Sequence, residues 1–352
     1  MIFLFWIILI FTGMFVKKSK IYDFLIIIFI AIITYYGGNI ADLENYQNAY
    51  NYIASGNYYN DLGVGWYFLC VIGVKMHLTY IQFKTIVVIL SMLLVNNLIK
   101  YFLNGNEHKT IIWALYLIFP ILLECIQVRF FIAESIVLYS MKFLMNEKKK
   151  YVFIYILLVL LAATIHSSML IYLIFLLYRV LGKYESKYVA IISAMMFIFF
   201  IFKKNIIKIL SLVINQKRIN RYFYSTDSLG IKGFIIYIFI ILIFYYIAKM
   251  MLKKAKETKQ DSHFFEFMLK QNILISILLV FSIFDPNFFR LQRIMWVLTY
   301  VGGAKLLNSS IKEITIFNIK TPIKLLLSIL AIIGNLIFIS ITTPEIITSF
   351  LM

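Results

Sequence analysis

Residues 128–166 read VRFFIAESIVLYSMKFLMNEKKKYVFIYILLVLLAATIH. Two apolar runs, 128–145 and 151–165, flank a short turn that carries Glu147, Lys148, Lys149 and Lys150. About 20 residues of helix cross a hydrocarbon core, and lysines in short loops stay on the cytoplasmic side of a bilayer. The stretch therefore predicts a helical hairpin that enters and leaves a membrane, with its turn inside the cell. Working outward, further apolar runs lie near 2–16, 21–36, 79–99, 110–126, 168–182, 188–202, 233–250, 267–284, 291–307 and 322–341. The composition agrees: 62% of the 352 residues are hydrophobic and 14% charged, against roughly 25% charged in soluble domains. The fold class expected is all-α: one polytopic integral membrane bundle over 1–352, with about twelve transmembrane helices.

A further apolar run, 64–74, holds Gly65 and Gly73 and ends at Lys75 and His77. It is too short to span and reads as re-entrant or interfacial. The charges test that choice. With 64–74 not crossing, Lys17, Lys18, Lys20, Lys109, Lys148–Lys150, Lys183, Lys187, Lys253–Lys259, Lys312 and Lys320 all fall on one side. If it did cross, Lys148–Lys150 would face outward, against the positive-inside rule. Both termini are then extracytoplasmic, and residues 1–16 read as a retained helix because no small-residue cleavage site follows them. The net charge of +18 marks sidedness and not nucleic-acid binding. Cys70 and Cys125 lie in apolar runs and read as packing residues.

Three features face outward in this register: the loops 37–63 and 203–232, and the turn 285–290. From Asp23 to Val74 there is no Lys or Arg, while Asp42, Glu44, Tyr46 and Tyr50 form an acidic, aromatic cluster suited to a sugar-like ligand. The loop 203–232 is basic, with Arg218 and Arg221, and also reads as an amphipathic segment on anionic lipid headgroups. Only six of the cations are arginine, and five of them, Arg129, Arg218, Arg221, Arg290 and Arg293, map to the outer half. A guanidinium pairs with phosphate oxygens through its planar fork and keeps its charge when partly desolvated. An outward-facing anion site follows.

Each candidate has a plainer alternative beside it. Arg129 opens the run 128–145, with Glu134 deeper in the same helix; it also reads as an arginine snorkelling to headgroups beside Glu124. Arg290 and Arg293 share a helix face after the turn 284–289, and Asp285 there is a candidate to neutralise one of them. His166, at the end of 151–165, reads either as a hydrogen-bonded cap or as a proton-transfer group. Asp42 and Glu44 resemble an acid-x-acid cation site, but the pattern is short, and no second histidine near His166 points to zinc. Pro120 is expected to kink 110–126 and open space near Glu124.

These residues together resemble the EpsG family of polysaccharide polymerases, relatives of the Wzy polymerases. The likeness spans about 35–305. It rests on Asp42 with Tyr46 and Tyr50, on Val128-Arg129 followed by Ala133, on Ile165-His166-Ser167-Ser168, and on Phe289-Arg290-Leu291. The resemblance implies a glycosyltransferase that joins polyprenyl-diphosphate-linked oligosaccharide repeats into capsule, exopolysaccharide or O-antigen at the outer face of a bacterial plasma membrane. It implies membrane lipid around the donor tails, and a flippase and a chain-length regulator as further partners. Arg129 and Arg290 or Arg293 correspond to the arginines such enzymes use; His166 or Asp42 would act as base, and the scheme requires no metal or other cofactor. Glu44, Tyr46, Tyr50, Glu134, Arg218 and Arg221 would contact substrate. A flippase for the same lipid-linked sugar is the main alternative, disfavoured by the absence of internal repeats and by arginines gathered at one face. A glycan ligase using the same donor is the other.

Overall fold

The computed structural model describes residues 2–37, 41–59, 62–103, 107–182, 184–213, 220, 230–282, 286–316 and 319–341. In chain order the helices are α1 (Ile2–Phe15), α2 (Lys20–Tyr36), α3 (Ala41–Ala54), α4 (Val64–Lys75), α5 (Tyr80–Leu103), α6 (Lys109–Ile118), α7 (Ile121–Ile126), α8 (Val128–Met145) and α9 (Lys149–Ile165). A 3₁₀ helix, Ser167–Leu176, leads into α10 (Leu177–Val180), α11 (Glu185–Val213), α12 (Gly230–Glu257), α13 (His263–Ile275) and α14 (Leu278–Ser282). A second 3₁₀ helix, Pro286–Gln292, precedes α15 (Arg293–Asn308); β1 (Glu313–Ile316), β2 (Ile319–Pro322) and α16 (Ile323–Ile341) complete the order. Three stretches, Tyr80–Leu103, Phe234–Glu257 and His263–Ser282, are long and apolar enough to cross a membrane. Several of the other apolar runs form shorter helices, such as Ile2–Phe15 and Lys109–Ile118.

The chain forms two compact units, residues 1–173 with 300–352, and residues 174–299. In the first, α5 packs on α2 and α8, α8 on α9, α1 on α6, and α4 on α3 and α9. In the second, α13 packs on α11 and α12, and α14 on α12 and on the 3₁₀ turn Pro286–Gln292.

Within the first unit, helix ends are satisfied by side chains from distant elements. Proline has no amide hydrogen, so Pro120 strips the end of α6 of acceptors' partners and separates α6 from α7. Two of the carbonyls released there are taken up at once: Trp6 Nε1 donates to Leu117 O at 3.1 Å and Tyr300 Oη to Phe119 O at 3.2 Å. The same device recurs where Lys305 Nζ donates to Phe102 O at 2.8 Å and Lys324 Nζ to Met14 O at 2.5 Å. Lys109, 2% exposed, pairs with Asp23 at 2.6 Å and ties α6 to α2.

The structure revises several expectations. The loop 37–63 contains a helix, α3, whose Tyr- and Asn-rich sequence lacks the apolar run of a span. The loop 203–232 is helical through Val213 at one end and from Gly230 at the other; Arg218 and Arg221 lie outside the described residues. The run 168–182 is mostly 3₁₀ helix and not α. The all-α class holds among the described residues, with one small addition, the antiparallel ribbon β1–β2, with Glu313 opposite Pro322 and Ile316 opposite Ile319. Alternation in Glu313-Ile314-Thr315-Ile316 buries Ile314 and exposes its neighbour Glu313, the period-2 pattern of a strand. The break at Pro120 appears as expected.

Tyr300→Phe removes the hydroxyl that donates to the buried Phe119 carbonyl. We expect a loss of about 1–3 kcal/mol, read as a lowered unfolding temperature of the purified protein in detergent, with membrane insertion retained.

Candidate functional site

Arg129 occupies the first turn of α8, immediately after the break at Gln127. Its position there follows from the chain: α7 ends at Ile126, and Gln127 adopts a non-helical conformation before the next helix starts. The side chain is half-buried, and one terminal nitrogen donates to Leu62 O at 2.6 Å. The guanidinium carbon lies 5.7 Å from the centre of the Tyr46 ring on α3, an arrangement worth about 0.5–2 kcal/mol. Arg129 is therefore held by a carbonyl and an aromatic face, and not by Glu124, which is fully buried within α7.

The segment that supplies the Leu62 carbonyl is itself clamped. Gly63 has φ +95°, and a Cβ there would stand 2.8 Å from the Thr164 carbonyl oxygen; a Cβ at Gly65 would stand 2.2 Å from Thr164 Oγ1. The two glycines let the start of α4 approach the end of α9, one residue before His166. His166 caps α9 with extended backbone and is largely buried. Its Nδ1 shares a hydrogen bond of 2.7 Å with Ser168 Oγ, and its ring stands edge-on to Phe130 at 5.4 Å. Arg129 and His166 are thus linked through adjoining residues, Phe130 on one side and the 62–65 segment on the other.

Around Tyr46 runs a chain of rings. Tyr46 meets Trp66 at 5.9 Å, Trp66 meets Phe83 at 5.6 Å, and Phe83 stacks on Tyr50 at 5.1 Å. Tyr50 is buried in this chain, and its hydroxyl donates to Leu78 O at 2.9 Å. It works as a packing residue that fixes α3 on α4 and α5, in place of the expected ligand contact. Glu44 is exposed on α3. Asp42 falls in α3, and its side chain lies outside the described residues. Glu134 is buried in α8, five positions after Arg129 and so about 140° further round the helix; it does not share the arginine's face.

Arg290 and Arg293 belong to the second unit. Arg290 is half-buried in the 3₁₀ turn Pro286–Gln292, whereas Arg293 begins α15 and is 0% exposed. Both have interaction partners. Full burial makes Arg293 an interior cation and not a rim group. Nearby in this unit, Phe289 packs against Tyr237 at 4.5 Å and Trp296 at 5.7 Å, which anchors the turn bearing Arg290. Asp285 lies outside the described residues.

Sequence reasoning missed Trp66, Phe83 and the clamp at Gly63 and Gly65, and gave Ser168 no role of its own. The pair of glycines flanking Val64 was the available signal, since a glycine at a helix start with a neighbour two residues on marks close backbone approach. Gly63→Ala should combine backbone strain with a clash against the Thr164 carbonyl, whereas Gly56→Ala, at φ +86° with nothing within 4 Å, meets strain alone. We expect Gly63→Ala to lower the unfolding temperature by more than Gly56→Ala, whose cost is about 1–2 kcal/mol.

No curated protein and no solved structure matches the chain. A comparison with family models matches the EpsG family over residues 19–351. With that match over nearly the whole chain and its apolar helices, the protein is a membrane protein of polysaccharide biosynthesis, and it belongs to the EpsG family.

Proposed function

We propose that the protein polymerises polyprenyl-diphosphate-linked oligosaccharide repeats into capsular polysaccharide, exopolysaccharide or O-antigen at the outer face of a bacterial plasma membrane. In this reading about twelve segments cross the bilayer and both termini are extracytoplasmic, in line with the lysine distribution. The observation that carries it is the Arg129 site: a cation anchored by Leu62 O and Tyr46, with a tyrosine-rich helix beside it and His166 two contacts away. Its Nε has no hydrogen-bond partner among the described residues.

In the proposed reaction an acceptor hydroxyl attacks the anomeric carbon of the lipid-linked donor. The bond from that carbon to the diphosphate oxygen breaks, and its electron pair leaves with the diphosphate. Arg129 offsets the charge that grows on the leaving group, which a preorganised guanidinium does without reorganising; Arg290, in the second unit, is a separate candidate cation, and Arg293 is an interior group of that unit. His166 takes the hydroxyl proton at Nε2, in the tautomer whose Nδ1–H donates a hydrogen bond to Ser168 Oγ. Asp42 is the second candidate base. Glu44 and Tyr46 present a polar and an aromatic group to sugars, and Arg218 and Arg221 add positive charge. Glu134, being buried, supports the helix that carries Arg129 in this scheme. A flippase delivers the donor, and a chain-length regulator acts on the product.

Arg129→Lys keeps the charge but loses the fork. We expect long polymer to disappear, with lipid-linked single repeats accumulating at the outer face and the protein still inserted; electrophoresis of glycans and of extracted lipid-linked species reads this. Single repeats that fail to accumulate, or that accumulate on the inner face as for a blocked flippase, would refute the polymerase reading. For His166→Ala, the polymerisation rate should fall by about 10²-fold or more, and an unchanged rate with full-length polymer would reduce His166 to a cap.

A further inference from the structure

Two helices of the first unit expose an apolar stripe that ends at the same place. On α1, the exposed residues Leu4, Ile8, Phe11 and Phe15 recur at helical spacing and so share one face. On α16, Leu325, Ile329 and Ile332 do the same. Both helices pack on α6. The end of α1 and the starts of α6 and α16 form one junction: Lys324 Nζ donates to Met14 O at 2.5 Å and stands 5.9 Å from the centre of the Phe15 ring, and Thr110 Oγ1 donates to Val16 O.

The junction gathers positive charge. Lys17, exposed, follows Phe15 by two residues; Lys324, half-buried, immediately precedes Leu325; and His108, half-buried, immediately precedes α6. Burial lowers the pKa of His108, and Lys324 and then Lys17 lower it further, against the opposing pull of the exposed Glu107. Lys17 and Lys324 are also in electrostatic reach of each other. Among the described residues, none of these three groups forms an ion pair. Asp23 is already engaged by Lys109 at 2.6 Å. A preference for keeping lysines at the membrane surface accounts for Lys17 alone, but packing draws Lys324 and His108 to the same point, where like charges repel unless an anion joins them. A phosphoanion there meets the cations, and an acyl chain attached to it meets the apolar stripes that start beside them. That is the charge and apolar pattern of a phospholipid.

We propose that this junction binds an anionic phospholipid, its phosphate held by Lys17, Lys324 and His108 and its acyl chains lying along the exposed faces of α1 and α16. Under the topology of the preceding subsection the lipid belongs to the cytoplasmic leaflet; the site itself does not depend on the polymerase reading.

Affinities for phosphatidylglycerol, phosphatidylcholine and inorganic phosphate are titrated by native mass spectrometry of the purified full chain in detergent. We expect phosphatidylglycerol to bind at least about tenfold tighter than phosphatidylcholine. A lysine beside an anionic headgroup contributes about fivefold, so Lys17→Gln should weaken phosphatidylglycerol about fivefold and the double variant Lys17→Gln, Lys324→Gln about 25-fold. Lys148→Gln, an exposed lysine in the turn before α9, should leave the affinity unchanged and serves as the control for general surface attraction. Equal affinity for the two lipids, an equal loss in Lys148→Gln and Lys17→Gln, or inorganic phosphate binding as tightly as phosphatidylglycerol overturns the proposal. Lys324 also holds the Met14 carbonyl, so if the double variant fails to fold, Lys17→Gln against Lys148→Gln decides.

Discussion

A carbonyl oxygen inside a hydrocarbon layer has no water to accept from, so each helix that stops or breaks there must find a donor within the protein. The same accounting holds for any buried helix end, and in the first unit side chains supply the donors. The carbonyls of Leu117 and Phe119, at the break before Pro120, receive Trp6 and Tyr300. Those of Phe102 and Met14 receive Lys305 and Lys324. Leu62 receives Arg129 in the same way. A group that reads as catalytic is thus held by the interaction that also closes helix ends elsewhere, and its placement follows from satisfying backbone.

Much of the helical order could be read from apolar runs, because segments such as Tyr80–Leu103 carry their length and hydropathy openly. The break at Pro120 was equally readable, since it follows from a missing amide hydrogen. What stayed hidden has local physical reasons. The helix Ala41–Ala54 is built from Asp, Glu, Asn, Gln and Tyr beside a few small or apolar residues, and no long apolar run announces it. The 3₁₀ form of Ser167–Leu176 leaves the same composition as an α-helix, because side-chain apolarity does not report the hydrogen-bond step. The ribbon Glu313–Pro322 is held by pairing between neighbouring segments and by Ile323 N donating to Lys312 O at 2.9 Å, neither of which an apolar scan detects.

The candidate site divides along the same line. Arg129 and His166 stood out because ionisable residues at helix ends are few in so apolar a chain. Their partners did not stand out, because Leu62 contributes only its backbone and Gly63 and Gly65 contribute the absence of a side chain. Tyr50 shows the reverse error: a residue type common in sugar sites, spent here on holding Leu78 and Phe83.

The pair of Asp23 and Lys109 bears on how the chain assembles. An ammonium 2% exposed is costly to bury alone, and the carboxylate 2.6 Å away offsets that cost. The ribosome releases Asp23 first, so the carboxylate precedes its partner. Translation order therefore lets the later helix dock against a waiting counter-ion.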